Sequence, residues 1–188
     1  LDLTDSFTEK YGSWAEWAWK QTPDVKIRLF LNRAVVELTM NTNVLAVKNI
    51  VEDFKGRIIY PSTCSVYGAQ DGLLTEESPF APLSLYAESK IEAEKILLSA
   101  PNETLIFRLG TLFGLSDTYS RLRVDLVLNV LTIRAVREGH MSVFGGQQYR
   151  PLLHVRDVAT AMVPQIDTHA TGIYNLHTEN MTDRKSVV

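Results

Sequence analysis

Apolar residues recur along this chain with two different spacings, and each spacing predicts a different kind of element. A helical spacing runs through residues 37–54 and 86–99, and again through residues 125–138, where Gly139 supplies a helix end. Short apolar runs at residues 57–60 and 104–109 are typical of buried strands. The other predicted elements are a helix over Ser6–Gln21, a strand at Asp24–Phe30, a loop over Gln70–Ser84, a strand at Met141–Phe144 before a turn at Gly145–Gly146, and a late strand at Gly172–Leu176. Strands and helices that alternate in this way favour an α/β fold built on a parallel sheet.

The composition is that of an ordinary globular protein, and it argues against several classes of function. The chain has 188 residues, of which 45% are hydrophobic and 22% charged, enough for one domain with a substantial core. A net charge of -3 argues against a nucleic-acid partner. The histidines show no metal-binding spacing, and polar residues interrupt the longest apolar stretch, Leu126–Val136, so we expect neither a metal site nor a membrane span. The single cysteine, Cys64, excludes an internal disulfide and favours a reducing compartment, so we expect a cytoplasmic protein.

The pair Tyr86 and Lys90 carries the most chemical information. A separation of four residues on a predicted helix puts both side chains on one face. A free tyrosine has a pKa near ~10, too high for a base at neutral pH, and a neighbouring cation lowers that pKa because it favours the phenolate. The pair is therefore suited to general acid-base catalysis. Spacing alone leaves a second interpretation open, which is an incidental pair on a solvated helix face.

A cluster of hydroxyl side chains follows the strand predicted at residues 57–60. Ser62, Thr63 and Ser65 come soon after that strand and lead to Gly68. Open α/β sheets place their sites at the carboxyl ends of strands. A hydroxyl group there can hydrogen-bond a substrate oxygen while a phenolate takes the proton, so we predict that Thr63, Tyr86 and Lys90 converge at the carboxyl edge of the sheet.

Four segments of the chain resemble, in their order and spacing, the motifs of the extended short-chain dehydrogenase/reductases. The resemblance is to the group of NAD-dependent sugar-nucleotide epimerases and dehydratases. The segments are Ser62–Gly68 (STCSVYG), Tyr86–Lys90 (YAESK), Phe107–Gly114 (FRLGTLFG) and Arg150–Ala159 (RPLLHVRDVA). The resemblance implies one Rossmann-like domain over residues 1–188, with a doubly wound parallel sheet that is incomplete at its N-terminus. It also implies part of a small C-terminal substrate lobe within about residues 115–188.

The resemblance implies roles for individual side chains. Tyr86 matches the general acid/base, and Lys90 matches the lysine that holds the nicotinamide ribose and lowers the pKa of the tyrosine. Thr63 matches the catalytic hydroxyl that orients the substrate. Asn43 matches an asparagine near the cofactor, and the pair Asp2-Leu3 resembles one that meets the adenine.

Two further residues match contacts to the substrate. Arg150 matches an arginine that meets the substrate pyrophosphate, and a planar, permanently charged group suits that anion better than lysine does. Asn129 matches a substrate-contacting asparagine. Structural interpretations remain open: Thr63 as a turn hydroxyl bonded to its own backbone, and Arg150 as a surface arginine beside a turn. Asp157 is expected to be structural, as the N-cap of a helix over Val158–Val163.

The chain departs from the family pattern at both ends. It lacks the glycine-rich turn whose amides cradle the pyrophosphate of NAD, and it enters the pattern just before the adenine contact. We therefore expect the first strands to be missing, and this chain alone to bind NAD or NADP weakly or not at all. The strand at Asp24–Phe30 carries Lys26 and Arg28, although a central parallel strand should be nearly all apolar. Most of the substrate lobe is expected beyond Val188.

These observations favour one function and leave a second open. The favoured function is an NAD(P)-dependent epimerase or reductase of a nucleotide-sugar, in which Tyr86 moves a proton during transient hydride transfer to the nicotinamide. A dehydratase is disfavoured because Cys64 and Ser65 stand where dehydratases of the family carry Asp and Glu. The alternative is a non-catalytic binding or scaffold protein that keeps the fold without the cofactor loop. The resemblance also implies a homodimer that pairs through the helices predicted at residues 37–54 and 86–99.

Overall fold

The computed structural model describes residues 36–114, 126–140, 143 and 149–182. These residues form two compact units, one made of residues 36–58 and 65–104 and the other of residues 59–64 and the described residues from 105 onward. The predicted elements Ser6–Gln21 and Asp24–Phe30, the turn Gly145–Gly146 and the candidate residues Asp2 and Leu3 lie outside the described residues, and only Val143 of the strand predicted at 141–144 lies within them.

The first unit contains two packed helices. Helix α1 covers residues 36–53 and changes to a wider π-helical turn over Asn41–Leu45 before its last segment, Ala46–Asp53. Helix α2 is Leu85–Ser99. Both predicted helices are confirmed, each to within one residue of its predicted bounds. Apolar side chains on their facing sides are buried, namely Val44 and Val47 on α1 and Ala87, Ile91, Ala93 and Leu97 on α2.

The predicted loop before α2 is fixed at its base by hydrogen bonds. The Ala81 amide donates to the Val66 carbonyl at 3.1 Å. The Gln70 side-chain amide donates to the carbonyls of Tyr67 at 2.6 Å and Pro79 at 2.9 Å. Gly68 has a φ of 64°, a left-handed conformation that disfavours residues with a side chain. The loop therefore begins and ends at one defined place in the first unit.

A three-stranded sheet has the order β1-β2-β5, from Ile58–Thr63, Thr104–Leu109 and Gly172–Leu176. Strand β2 pairs in parallel with β5, with Leu105 opposite Gly172 and Leu109 opposite Leu176. All six residues of β2 are buried, which suits a strand covered on both faces. The predicted strands at 104–109 and 172–176 are confirmed, and the parallel sheet confirms the predicted Rossmann-like α/β fold.

The second unit also contains a smaller sheet and two helices. Strand β3 (Thr111–Phe113) runs parallel to β4 (Tyr149–His154), and β4 pairs antiparallel with β6 (Glu179–Thr182). Helix α3 is Val127–Glu138 and ends at Gly139, whose φ of 69° is the left-handed conformation predicted for that helix end. No helix among the described residues is long and apolar enough to cross a membrane.

The core of the second unit lies where helix α4 (Val155–Met162) meets the strands. Leu105, Phe107 and Leu109 of β2 and Leu153 of β4 are buried there, and Val158 and Met162 of α4 pack against them. Each such buried side chain stabilises the fold by about 1.5–3 kcal/mol relative to an exposed one.

The prediction that Asp157 caps this last helix was wrong. Helix α4 begins at Val155, and its N-cap is His154, whose imidazole Nδ1 accepts a hydrogen bond from the Arg156 amide at 3.1 Å. Asp157 therefore lies inside the first turn, and its carboxylate accepts a hydrogen bond from the Thr178 hydroxyl at 3.1 Å. The helix starts two residues before Asp157 because the imidazole of His154 supplies the hydrogen-bond acceptor that a helix N-cap requires.

Candidate active site

Tyr86 and Lys90 lie together on the first two turns of α2. The helix begins after Ser84, whose hydroxyl oxygen accepts a hydrogen bond from the Ala87 amide at 3.2 Å, as an N-cap does. The Lys90 ammonium nitrogen lies 5.8 Å from the centroid of the Tyr86 ring. Tyr86 is 45% exposed, while Lys90 is half-buried. The structure thus confirms that both side chains share one helix face and leaves the phenol accessible from solution.

The surroundings of this pair act on the charge of Lys90. Burial lowers the pKa of Lys90 from its ordinary value, and the nearby carboxylate of Glu94 partly opposes that shift. Tyr86 lies in the first turn of α2, where the helix macrodipole presents partial positive charge. A phenolate at this position would therefore be stabilised by the helix end as well as by the ammonium.

Asn43 contacts the same helix from α1. Its side-chain amide donates a hydrogen bond to the Ser89 hydroxyl at 3.1 Å. The Ser89 hydroxyl in turn donates to the backbone carbonyl of Tyr86 at 2.8 Å. Asn43 lies in the π-helical turn Asn41–Leu45, and such turns are frequent at functional sites. The structure therefore places Asn43 next to the helix segment that carries Tyr86, and its place near the cofactor stays a prediction.

Thr63 is the last residue of β1, at the carboxyl end of the strand. The strand runs three residues beyond the predicted end at Tyr60, through Pro61 to Thr63, and Thr63 is 8% exposed. Proline is tolerated in β1 because this strand is at the edge of the described sheet. The position suits a hydroxyl that reaches a ligand at the sheet edge. That Thr63 converges with Tyr86 and Lys90 stays a prediction.

Arg150 lies within electrostatic reach of the same strand end. It is half-buried on β4, opposite Met181 of β6. Burial raises the pKa of the Cys64 thiol to about 11, while the backbone hydrogen bond at Cys64 and the positive charge of Arg150 act in the opposite direction. The positive charge of Arg150 therefore acts on the residue directly after Thr63.

The remaining candidates have defined places on the fold. Asn129 is half-buried in the first turn of α3. Arg108, in the segment Phe107–Gly114, is buried on β2 in register with Asn175 of β5. In the described part of the chain, no group of three or more His, Cys, Asp or Glu side chains is placed to hold a metal ion.

Sequence reasoning missed Ser89, which is fully buried between Tyr86 and Lys90 in the chain. Its signal was available, because Ser89 lies four residues before Ala93 and so places a hydroxyl group on the apolar face of the predicted helix. The contact with Asn43 could not be predicted, because it depends on the π-helical turn of α1 and on how α1 packs against α2.

A family profile covers most of the chain. The profile of the NAD dependent epimerase/dehydratase family matches residues 31–176. That range contains all four segments that carry the resemblance, from Ser62–Gly68 to Arg150–Ala159.

Individual proteins of related sequence and structure agree with this profile. The chain is 27% identical over 124 residues to an uncharacterized UDP-glucose epimerase, YtcB, of Bacillus subtilis (strain 168), covering 61% of this chain. It is similar to the structure of MoeE5 in complex with UDP-glucose and NAD, with a TM-score of 0.65 and 28% identity over 77% of this chain. It is also similar to a dTDP-glucose 4,6-dehydratase from Bacillus anthracis str. Ames in complex with NAD, with a TM-score of 0.66 and 26% identity over 79% of this chain.

The chain is shorter than each of these relatives. It spans 38% of the length of the Bacillus subtilis protein, 52% of MoeE5 and 50% of the Bacillus anthracis dehydratase.

Proposed function

Because the chain belongs to the NAD-dependent epimerase/dehydratase family, we propose that the protein is an NAD-dependent epimerase or reductase of a nucleotide-sugar, with Tyr86 as its general acid/base. The observation that carries the proposal is the position of the Lys90 ammonium, 5.8 Å from the centroid of the accessible Tyr86 ring. A tyrosine needs such a neighbour to act near neutral pH, because its ordinary pKa is about 10.

The proton chemistry follows from this arrangement. The Tyr86 phenolate takes a proton from a sugar hydroxyl, and the phenol returns it when the reaction reverses. Lys90 keeps the phenolate form accessible through its charge. Thr63 holds the reacting oxygen by a hydrogen bond from its hydroxyl group.

The residues present fit the nicotinamide end of NAD. The half-buried ammonium of Lys90 and the Tyr86 phenol offer the donors that a ribose diol requires. NAD, when bound, supplies the redox chemistry, while the protein orients the sugar and moves the proton. The similar structures of MoeE5 and of the Bacillus anthracis dehydratase were both determined with NAD, which supports this choice of cofactor.

A nucleotide-sugar is the substrate that the similar proteins suggest. MoeE5 was crystallised with UDP-glucose, and the Bacillus subtilis relative is described as a UDP-glucose epimerase. Arg150 supplies the charge that a pyrophosphate requires, since its guanidinium already acts on the end of β1 at Cys64. We assign Asn129 to the sugar or nucleotide on the resemblance alone.

The environment of Cys64 favours epimerisation or reduction over dehydration. Elimination of water needs a second acid and base next to the reacting carbon. The Cys64 thiol has a pKa of about 11 because it is buried, so it stays neutral at pH 7 and is a poor base.

A homodimer through α1 and α2 completes the proposal. Both helices bury one face inside the first unit and expose large apolar side chains elsewhere: Leu38, Leu45, Ile50 and Phe54 on or just after α1, and Leu98 on α2. A second copy would cover this surface. Sedimentation of the intact protein and of its Leu98→Glu variant tests this part, and we expect the variant to be more monomeric.

Replacement of Tyr86 tests the catalytic proposal. We expect Tyr86→Phe to lower kcat for nucleotide-sugar epimerisation or reduction in the intact protein by ~10²–10⁴-fold, because general acid-base catalysis contributes about that much. Tyr174→Phe is the matched control, since Tyr174 is 47% exposed against 45% for Tyr86 and belongs to β5. The alternative, a non-catalytic scaffold, predicts that neither tyrosine matters and that wild type has no turnover with any nucleotide-sugar and NAD.

A further inference from the structure

We infer that Ser89 and Asn43 form a positioning element that fixes how α2 lies against α1, and thereby holds Tyr86 and Lys90 in their working arrangement. The inference rests on the proposed function of that pair. In this inference Ser89 positions the catalytic pair, and Asn43 acts through Ser89. Asn43 does not contact the reacting groups itself.

The contacts form a continuous chain from one helix to the backbone of the tyrosine. The Asn43 side-chain amide donates to the Ser89 hydroxyl at 3.1 Å, and that hydroxyl donates to the Tyr86 carbonyl at 2.8 Å. Ser89 is completely buried, with 0% exposure, so its hydroxyl cannot contact a substrate or be replaced by a bond to bulk water. Both its donor and an acceptor site are used within the protein.

The apolar contacts between α1 and α2 hold the two helices together but do not fix their register. Val44 and Val47 of α1 and Ala87 of α2 are buried, and apolar contacts of this kind are non-directional. Small side chains such as Ala87 also leave a smooth helix surface along which a partner can shift. A hydrogen bond depends on distance and angle, so the Asn43–Ser89 bond selects one register among several similar ones.

The π-helical turn of α1 explains why Asn43 is available for this contact. The turn Asn41–Leu45 inserts extra backbone into the helix, and Asn43 lies at its centre. An asparagine in a regular helix competes unfavourably with better helix formers, so this residue is better explained by a contact than by helix propensity. The turn and the contact together anchor α2 within one turn of both Tyr86 and Lys90.

Loss of the anchor should affect turnover more than substrate binding. A small displacement of a catalytic group can reduce the rate strongly, even when the substrate still binds. The charges around the pair are unchanged by substitutions at Asn43 and Ser89, because Lys90 and its neighbour Glu94 both remain. An altered rate would therefore report geometry.

The test compares three single variants and one double variant in the intact protein. We expect Ser89→Ala and Asn43→Ala each to lower kcat by about tenfold, with KM for the nucleotide-sugar changed less than about threefold. The double variant should be no slower than Ser89→Ala alone, because both residues act through one contact. Ser99→Ala is the control, since the Ser99 hydroxyl bonds the Lys95 carbonyl at 2.8 Å in the same way on an exposed part of α2. It should leave kcat unchanged.

A second measurement does not depend on turnover. The pKa of Tyr86 can be followed by NMR of tyrosine labelled at Cζ, with Tyr86→Phe used to assign the signal. We expect Ser89→Ala to raise the pKa of Tyr86 toward its ordinary value, because the phenol and the Lys90 ammonium no longer keep their arrangement.

Several results would overturn the inference. Lower melting temperatures with an unchanged kcat and an unchanged Tyr86 titration would make Ser89 purely structural. A further loss when Asn43→Ala is added to Ser89→Ala would show that Asn43 acts directly. Failure of the proposed function looks different: wild type would then have no turnover, and the Tyr86 titration in Ser89→Ala would still decide whether Ser89 positions the pair.

Discussion

Gly68→Ala should destabilise the protein far more than an equivalent change at Gly139. Gly68 and Gly139 have nearly the same backbone conformation, with φ of 64° and 69°. A methyl group on Gly68 would overlap the carbonyl oxygen of Ala81, whereas one on Gly139 would meet no atom of the described residues within 4 Å. The two variants therefore share the conformational strain and differ in the steric contact.

The magnitude follows from what must move at Gly68. The left-handed conformation costs an alanine about 1–2 kcal/mol, and reduced freedom of the unfolded chain offsets about 0.4–1 kcal/mol of that. This net cost of roughly 1 kcal/mol applies to both sites. At Gly68 the backbone of Ala81 must also retreat by more than an ångström, which breaks the hydrogen bond from the Ala81 amide to Val66. Losing that bond adds about 1–2 kcal/mol, so we expect a total near 2–3 kcal/mol.

Urea unfolding of the intact protein, followed by circular dichroism, measures both free energies. The expected ratio of the loss at Gly68 to the loss at Gly139 is about two to three. Equal losses at the two sites would refute the reasoning, because they would mean that the loop carrying Ala81 is not held where the hydrogen bonds at Val66 and Gln70 place it. The Gln70→Ala variant provides a check: it should remove part of the extra cost at Gly68, since a loosened loop can yield to the new methyl group.

Two further predictions concern charged residues. Arg150→Ala should raise KM for the nucleotide-sugar by about tenfold or more and leave the melting temperature close to that of wild type, as measured by steady-state kinetics and calorimetry. A lower melting temperature with an unchanged KM would make Arg150 structural. Lys90→Met should abolish most turnover yet raise the melting temperature at pH 7, because burial lowers the pKa of Lys90 from 10.5 and so penalises its charged form in the folded state. Between the lowered pKa and 10.5 the folded protein binds fewer protons at Lys90 than the unfolded chain does, so the stability of wild type rises with pH across that window. The Lys90→Met variant should not show this rise.

Elements that depend mainly on their own local sequence could be predicted from it. Strand β2 was predicted with its observed bounds because Thr104–Leu109 is nearly all apolar or β-branched and is buried throughout. The end of α3 was predicted because a glycine follows its last apolar turn and takes the left-handed conformation. The pair Tyr86 and Lys90 was identified because helix spacing alone places two side chains on one face.

Features that depend on contacts between distant residues could not be predicted in the same way. Strand β1 extends through Pro61 to Thr63, although a proline at the end of a short apolar run usually argues against a continued strand. Helix α4 starts at Val155 because His154 acts as its N-cap, and histidine is not among the residues that mark an N-cap in a sequence. The π-helical turn of α1 has no sequence signature of its own, and the contact of its Asn43 with Ser89 depends on how α1 packs against α2.

Two serine hydroxyl groups hold the start of α2, one at the Ala87 amide and one at the Tyr86 carbonyl, and this explains how a partly buried ammonium can persist beside Tyr86. Ser84 caps the helix one residue before Leu85, and Ser89 bonds the Tyr86 carbonyl from within it. Each such bond contributes about 1 kcal/mol, and these bonds oppose the penalty that burial places on the charged form of Lys90. A helix held only by apolar contacts could relieve that cost by turning Lys90 toward solvent. With Ser84 at the helix start and Asn43 on Ser89, that rotation would break directed hydrogen bonds, so the charged arrangement is retained.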